Sequence, residues 1–293
     1  MAAGQYFISG KVFDAPALPP ALYVVSTPIG NLKDITLRAL ETLAGADLIL
    51  CEDTRTSAKL LNAYGIKTPK TALHEHNEVA SAQNYVDEIK AGRSICLISD
   101  AGTPLISDPG FPLVRVAAEE NFSVFAIPGA SALLGGLAVS GLPTDSFSFF
   151  GFLPPKQQAR AKRLEELAAK TETLVFYESP KRIAATLAAV AEVMGGDRKV
   201  VVARELTKKF ETFYRGAACE MATDFDEMAV KGEIVLMVAG ADQQAIADPD
   251  AWRGALKELL TELPLRGAVD QIASDFGLKR KQVYQAALEM RDG

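Results

Sequence analysis

Ile98-Ser99-Asp100-Ala101-Gly102-Thr103-Pro104-Leu105-Ile106-Ser107-Asp108-Pro109-Gly110 is the segment that sets the fold class. It leaves an apolar run, Ser94 to Ser99, and leads into a helical stretch, Phe111 to Glu120. A run that is apolar at consecutive positions is a strand buried on both faces, and strand followed by helix is the repeating unit of a parallel sheet. Between Asp100 and Gly110 stand two Gly, two Pro and two Asp. Such a loop is stiff, so it can hold backbone N–H groups and carboxylates toward a polar ligand at little ordering cost. Asp100 suits a ribose hydroxyl or an ammonium group, whereas Asp108 reads more readily as a turn residue bonded to its own backbone.

The same unit recurs on either side. Leu22 to Ser26, Leu48 to Glu52 and Val124 to Ile127 are apolar strands, with helices at Thr36 to Leu43, Thr54 to Tyr64 and Val79 to Ala91. Residues 21–142 therefore read as an α/β domain. Its first strand runs into Ser26-Thr27-Pro28-Ile29-Gly30-Asn31-Leu32 and its last into Ile127-Pro128-Gly129-Ala130-Ser131-Ala132-Leu133. Ser131 stands where a helix N-cap belongs. Open α/β sheets take small molecules outside the carboxyl ends of their strands, so the three loops are expected to converge on one crevice.

A second α/β domain is expected over residues 143–240, with strands Phe147 to Phe152, Thr173 to Tyr177, Lys199 to Ala203, Glu211 to Arg215 and Glu233 to Val238. Ile183, Leu187, Val190 and Met194 form one helical stripe laid on that sheet. Residues 241–293 read as a helical module. Within it, Ile272 to Tyr284 has the Ala, Gly and Val spacing of a helix-turn-helix, with Lys279, Arg280 and Lys281 opening the second helix. Residues 1–20, with Pro16, Pro19 and Pro20, little charge and no periodic pattern, read as an arm outside the core.

Composition narrows the function classes. With 48% hydrophobic and 23% charged residues the chain is globular. Cys51, Cys96 and Cys219 are odd in number and widely separated, which fits a reducing cytoplasm. No run approaches the roughly 20 apolar residues of a membrane span. A net charge of -6 argues against nucleic-acid binding over the whole surface, so RNA contact has to come from local patches. Two are candidates: Lys156, Arg160, Lys162 and Arg163, and the basic residues at 279–281. No G-x-G-x-x-G follows the first strand and no P-loop motif occurs, which removes the main support for dinucleotide and nucleoside-triphosphate sites.

With Cys51-Glu52-Asp53-Thr54-Arg55, Tyr177-Glu178-Ser179-Pro180-Lys181-Arg182 and Arg204-Glu205-Leu206-Thr207-Lys208, the loops quoted above resemble the tetrapyrrole methylase superfamily over about residues 21–240. The resemblance implies two α/β domains with parallel or mixed sheets and S-adenosylmethionine bound in the cleft between them. By the family pattern Pro28, Asp100, Gly102, Thr103, Ile106, Ser131 and Ala132 would line the cofactor site. Tetrapyrrole-modifying relatives carry Gly-Asp-Pro where this chain has Gly102-Thr103-Pro104, which points away from porphyrinoid substrates. The branch that the quoted stretches resemble implies a homodimeric enzyme methylating the ribose 2'-oxygen of a cytidine in the decoding region of 16S rRNA, within the small ribosomal subunit.

For that chemistry the charged candidates are Glu178, Lys181, Arg182, Arg204, Glu205 and Lys208, with Glu205 and Lys208 as the catalytic pair, acting as proton acceptor or electrostatic support. An internal Arg204–Glu205 ion pair is the plainer alternative. His74 and His76 share one face of a strand, yet a third histidine is lacking and the resemblance implies no metal. Two other functions stay open: methylation of a tetrapyrrole or another small acceptor, and a metabolite-sensing DNA-binding regulator.

Overall fold

The computed structural model describes residues 4–74, 78–242, 251–276, 278 and 280–292. The chain divides into two units, Met1–Gly240 and Ala241–Gly293.

The N-terminal segment corrects the expectation of an arm. β1 (Gly4–Ile8) and β2 (Lys11–Ala15) form an antiparallel hairpin closed by Ser9 and Gly10, both at positive φ (50° and 79°). Two central residues at positive φ make the tight turn that matches strand twist. The hairpin buries Tyr6 and Ala15 with Leu40 and Leu43 of α1 (Leu37–Gly45), and the Phe7 amide donates to the Tyr64 carbonyl. Serine before glycine was the available turn signal; three nearby prolines masked it.

The first sheet contains β3 (Ala21–Val25), β4 (Leu48–Cys51), β5 (Lys70–Ala72), β6 (Ser94–Ile98) and β7 (Val124–Ile127), in the order β5-β4-β6-β3-β7 with every pairing parallel. Strand alternation sends its side chains into two cores. Leu22, Leu50, Ile95 and Leu97 pack with Val86 and Ile89 of α3 (Glu78–Lys90) and Leu113 of α4 (Phe111–Glu119). Val25, Ile49, Cys96 and Ile98 face α1. The helix α2 (Thr54–Ala63) is N-capped by Asp53, whose carboxylate accepts from the Arg55 amide at 2.7 Å.

The second sheet is mixed. β8 (Phe147–Phe152) and β9 (Thr173–Glu178) pair in parallel, while β10 (Lys199–Arg204), β11 (Thr212–Ala217) and β12 (Ile234–Val238) pair antiparallel, giving the order β11-β10-β12-β9-β8. One face is covered by α6 (Gln157–Leu167), α7 (Ile183–Met194) and α8 (Ala218–Glu227), with Phe176, Val202 and Leu236 at its centre. The other face buries Val175, Val201 and Val235 against Leu137 of α5 (Ala132–Ser140) and against Ile29 from the loop after β3. α5 thus precedes the expected boundary at 142/143 in sequence but packs under the second sheet, where Ile29 from a first-sheet loop joins the same core.

Among the described residues, the C-terminal unit has three helices, Ala251–Glu262, Leu265–Asp275 and Arg280–Asp292, around Trp252, Leu256, Val269, Ile272 and Val283. Gly277 and Lys279 lie outside the described residues.

Candidate active site

Each of the three loops is fixed by backbone bonds. Thr27 and Gly102 exchange both amide hydrogen bonds (2.8 and 3.0 Å), an isolated bridge that ties the loop after β3 to the loop after β6. The Ser26 amide donates to the Ile127 carbonyl at 3.1 Å, drawing in the loop after β7. Side chains repeat the pattern: the Ser26 and Thr103 hydroxyls lie 3.1 Å apart and the Thr27 hydroxyl donates to the Ser99 carbonyl at 3.2 Å. Close approach needs glycine here. A Cβ on Gly129 would stand 3.0 Å from the Ser26 Cβ, and Gly102 has φ +79°. Leu105 and Ser107 also take left-handed backbone (both φ 71°), a conformation that costs non-glycine residues energy and gathers at functional loops.

These loops form one wall of a cavity of about 350 Å³, at the lower end of small-molecule sites. Gly102, Thr103, Ile106 and Asp108 line it from the β6 loop, Ile29 from the β3 loop, and Ser131 and Ala132 from the start of α5. Ser131 is also the N-cap of α5, its hydroxyl accepting from the Leu134 amide at 3.4 Å. The opposite wall belongs to the second sheet, with Phe152, Tyr177, Glu178, Leu206 and Glu233.

Five of the seven residues assigned to the cofactor, Gly102, Thr103, Ile106, Ser131 and Ala132, thus meet in one wall. Pro28 is represented there by its neighbour Ile29. Asp100 is exposed and turned to the Asp53 amide, which donates to Oδ1 at 3.1 Å. Glu205 and Lys208 are not among the residues that line the cavity; they lie behind its wall, where Glu205 Oε1 accepts from the amide of the lining residue Glu233 at 3.0 Å. Lys208 Nζ lies 2.9 Å from Glu205 Oε1 and 3.1 Å from Glu233 Oε2. Its stem crosses Gly30, where a Cβ would be 2.4 Å from Lys208 Cγ. Burial alone would lower the Lys208 ammonium, but the hydrogen bonds to Glu205 and Glu233 outweigh it and raise its pKa; the same bond from Lys208 lowers that of Glu205. Both members therefore stay charged at neutral pH, which suits electrostatic support and not proton acceptance.

Other charged candidates serve the scaffold. Glu178 is buried, accepts from the Ser179 amide (2.8 Å) and the Thr186 hydroxyl (2.7 Å), and forms an ion pair with the Arg182 guanidinium (Nε at 3.2 Å). Arg204 donates to the carbonyls of Lys231 and Phe210 at 3.1 and 3.2 Å, so Glu205 takes Lys208 as partner in place of the neighbouring arginine. Lys181 is exposed beside the lining residue Pro180. In the first basic patch Arg160 is buried, and Arg163 pairs with Glu166 at 2.8 Å while its guanidinium lies over the Phe150 ring. Lys156 and Lys162 are exposed, and the Arg163 side chain is partly so. In the second, Arg280 is held by Asp270 and Lys281 is exposed. His74 follows β5 in irregular backbone, and His76 lies outside the described residues.

Several wall residues were not assigned from sequence, among them Asp108, Tyr177 and Phe152. Burial lifts the Asp108 carboxyl to about 6; the nearby Ser99 hydroxyl works against the rise, and the charges of Glu52 and Asp100 work with it. Burial also raises the Tyr177 phenol, with the Leu133 amide opposing and the Asp108 charge adding. Phe152 is 57% exposed yet lines the cavity, its ring edge-on to Tyr177 at 5.8 Å. An aromatic residue closing a strand at the edge of the second sheet was the only signal for Phe152.

Residues 21–222 match the model of the Tetrapyrrole (Corrin/Porphyrin) Methylases, and residues 246–291 match the RsmI C-terminal HTH domain. The Ribosomal RNA small subunit methyltransferase I of Mesorhizobium japonicum is 47% identical, covering 95% of this chain and 96% of the relative. The protein of the same name from Vibrio cholerae is 48% identical over 92% and 95%. Among solved structures, a uroporphyrin-III C-methyl transferase from Thermus thermophilus complexed with S-adenyl homocysteine shares the fold at TM-score 0.52 and 16% identity, covering 75% of this chain and 97% of that one. The chain belongs to the tetrapyrrole methylase family, in its ribosomal RNA small subunit methyltransferase I branch.

Proposed function

We propose that the chain transfers a methyl group from S-adenosylmethionine to the ribose 2'-oxygen of a cytidine in the decoding region of 16S rRNA, acting in the cytoplasm on the small ribosomal subunit. The observation that carries this reading is the cavity at the strand ends, its donor-side wall held by the Thr27–Gly102 bridge, in a chain so similar to ribosomal RNA methyltransferases.

The wall fits the donor chemically. Ile29, Ile106 and Ala132 offer apolar surface for a nucleoside, and Gly102 and Thr103 line the cavity beside it. We assign Pro28, Asp100, Gly102, Thr103, Ile106, Ser131 and Ala132 to this role, Pro28 and Asp100 acting through the loops they belong to. When bound, the donor supplies an electrophilic methyl carbon on a sulfonium. What the chain must do is orient the acceptor oxygen in line with that carbon and keep water out. The Glu205–Lys208 pair is assigned electrostatic support, since its fixed charges lie beside the wall and across the Gly30 loop. On the acceptor side the exposed Phe152 ring can stack a splayed base, and Lys181 can meet a phosphate.

A homodimer is part of this reading. On α5 the exposed positions Leu134, Gly135, Ala138 and Val139 carry no polar side chain, and Leu134 and Val139 are each 55% exposed. An apolar helix face of this kind suits a second copy of the chain. Light scattering should give twice the chain mass and, for Leu134→Glu, the single mass.

Methyl incorporation from labelled donor tests the function. Small subunits from a strain lacking the gene should be labelled, with the label mapping to one 2'-O-methylcytidine; a precorrin-type acceptor labelled in their place would refute the assignment.

A further inference from the structure

Three carboxylates line the cavity: Asp108 from the first half, and Glu178 and Glu233 from the second. Two of them are committed. Glu178 accepts from an amide and a hydroxyl and is ion-paired with Arg182, and Glu233 is paired with Lys208. Asp108 alone has no cation partner among the described residues.

Its surroundings are acidic or neutral on every side. Glu52 at the end of β4 and Asp100 at the end of β6 lie near it on its own half, with the Ser99 hydroxyl beside it. Across the cavity stand the Tyr177 phenol, close enough to feel the Asp108 charge, and Glu178 with its Arg182. Asp108 also sits two residues from the donor-side Ile106, in the loop whose left-handed backbone at Leu105 and Ser107 fixes its direction. It therefore stands where the first wall meets the acceptor side.

Building on the methyl-transfer reading, we infer that Asp108 is the general base, taking the proton of the acceptor hydroxyl. As the ribose O–H bond breaks, its proton passes to an Asp108 carboxylate oxygen and the oxygen forms a bond to the methyl carbon. The carbon–sulfur bond breaks with its electron pair remaining on sulfur, so the sulfonium becomes a neutral thioether. The carboxyl later returns its proton to water. A carboxyl lifted to about 6 by burial is a stronger base than an exposed aspartate and is still mostly ionised at neutral pH. Tyr177 and the charged Glu205–Lys208 pair would act on position and field, leaving proton removal to Asp108.

The test uses the full chain with small subunits lacking the modification. Asp108→Asn should lower kcat by about 100-fold or more, within the usual range for a lost general base, while S-adenosylhomocysteine affinity by calorimetry stays within about threefold. In the wild type, kcat should rise about tenfold per pH unit below 6 and level off above it. In ¹³C NMR of the ligand-free chain, one aspartate carboxyl should titrate near 6 and vanish in Asp108→Asn. Wild-type kcat flat from pH 5 to 8 would overturn the assignment even if the variant failed to fold. So would a variant that keeps wild-type kcat, or one that loses ligand affinity as steeply as activity. A wild type that binds ligand but methylates no RNA would instead defeat the functional reading, leaving the carboxyl titration to stand on its own.

Discussion

The two walls of the cavity are built on opposite plans. The first-sheet wall is mostly backbone: glycines, small side chains and amide bonds that lock three loops together, as at Thr27–Gly102. The second-sheet wall is mostly side chain: Phe152, Tyr177, Glu178 and Glu233, the last held from behind by Lys208, which also pairs with Glu205. Parallel strands all point their carboxyl ends one way and so deliver several turns to one place, whereas a mixed sheet delivers strand ends to both edges and must reach the site with longer groups. A rigid backbone wall suits an invariant ligand, and a side-chain wall suits an acceptor that has to be selected and activated.

Substitutions on the two sides should separate those roles. Gly102→Val should have the largest effect: at φ +79° a β-branched residue is strained, and its Cβ meets Ile29, so donor affinity should fall on the order of 100-fold by calorimetry. Lys208→Ala should leave donor affinity within about threefold and lower kcat roughly 10- to 100-fold, as expected for lost electrostatic support. Equal losses in both quantities would erase the contrast between the walls. Phe152→Ala should raise KM for the subunit about tenfold with kcat and donor affinity nearly unchanged, the size of one lost base–aromatic stack.

The smallest effect concerns stability. The folded chain holds the Asp108 proton more tightly than the unfolded one, since its carboxyl is lifted from 3.8 to about 6. That stabilisation is full below pH 4 and is lost as pH rises through 6, so at neutral pH the ionised Asp108 is a net cost. Asp108→Asn should therefore raise Tm at pH 7.5 by about 2–4 °C and leave it unchanged near pH 4. A lower Tm at pH 7.5 would mean that the carboxylate stabilises the loop.

The first wall was largely legible in the sequence and the second was not. Consecutive apolar residues at Ser94–Ile98 and a Gly/Pro/Asp loop announce a buried parallel strand and its ligand turn, because both properties reside in neighbouring residues. The Lys208 clamp depends on Glu233, which the chain reaches only after β11 and α8, and no local pattern encodes that meeting. Asp108 has the look of a turn former because its identity is ordinary; its place in the cavity wall is set by packing from the other half. The hairpin at Gly4–Ala15 escaped for a related reason, since its strands present few buried residues and take their stability from α1. In the basic patch at 156–163, composition pointed to a surface, whereas Arg160 is buried, its guanidinium donating to the Pro155 carbonyl.

The most direct test is a crystal structure of the full chain grown with S-adenosylhomocysteine. The ligand should lie against Gly102, Ile106 and Ala132, with its sulfur turned toward the side that carries Asp108 and Tyr177. Electron density for the ligand at any other site, with this cavity filled only by solvent, would contradict the account.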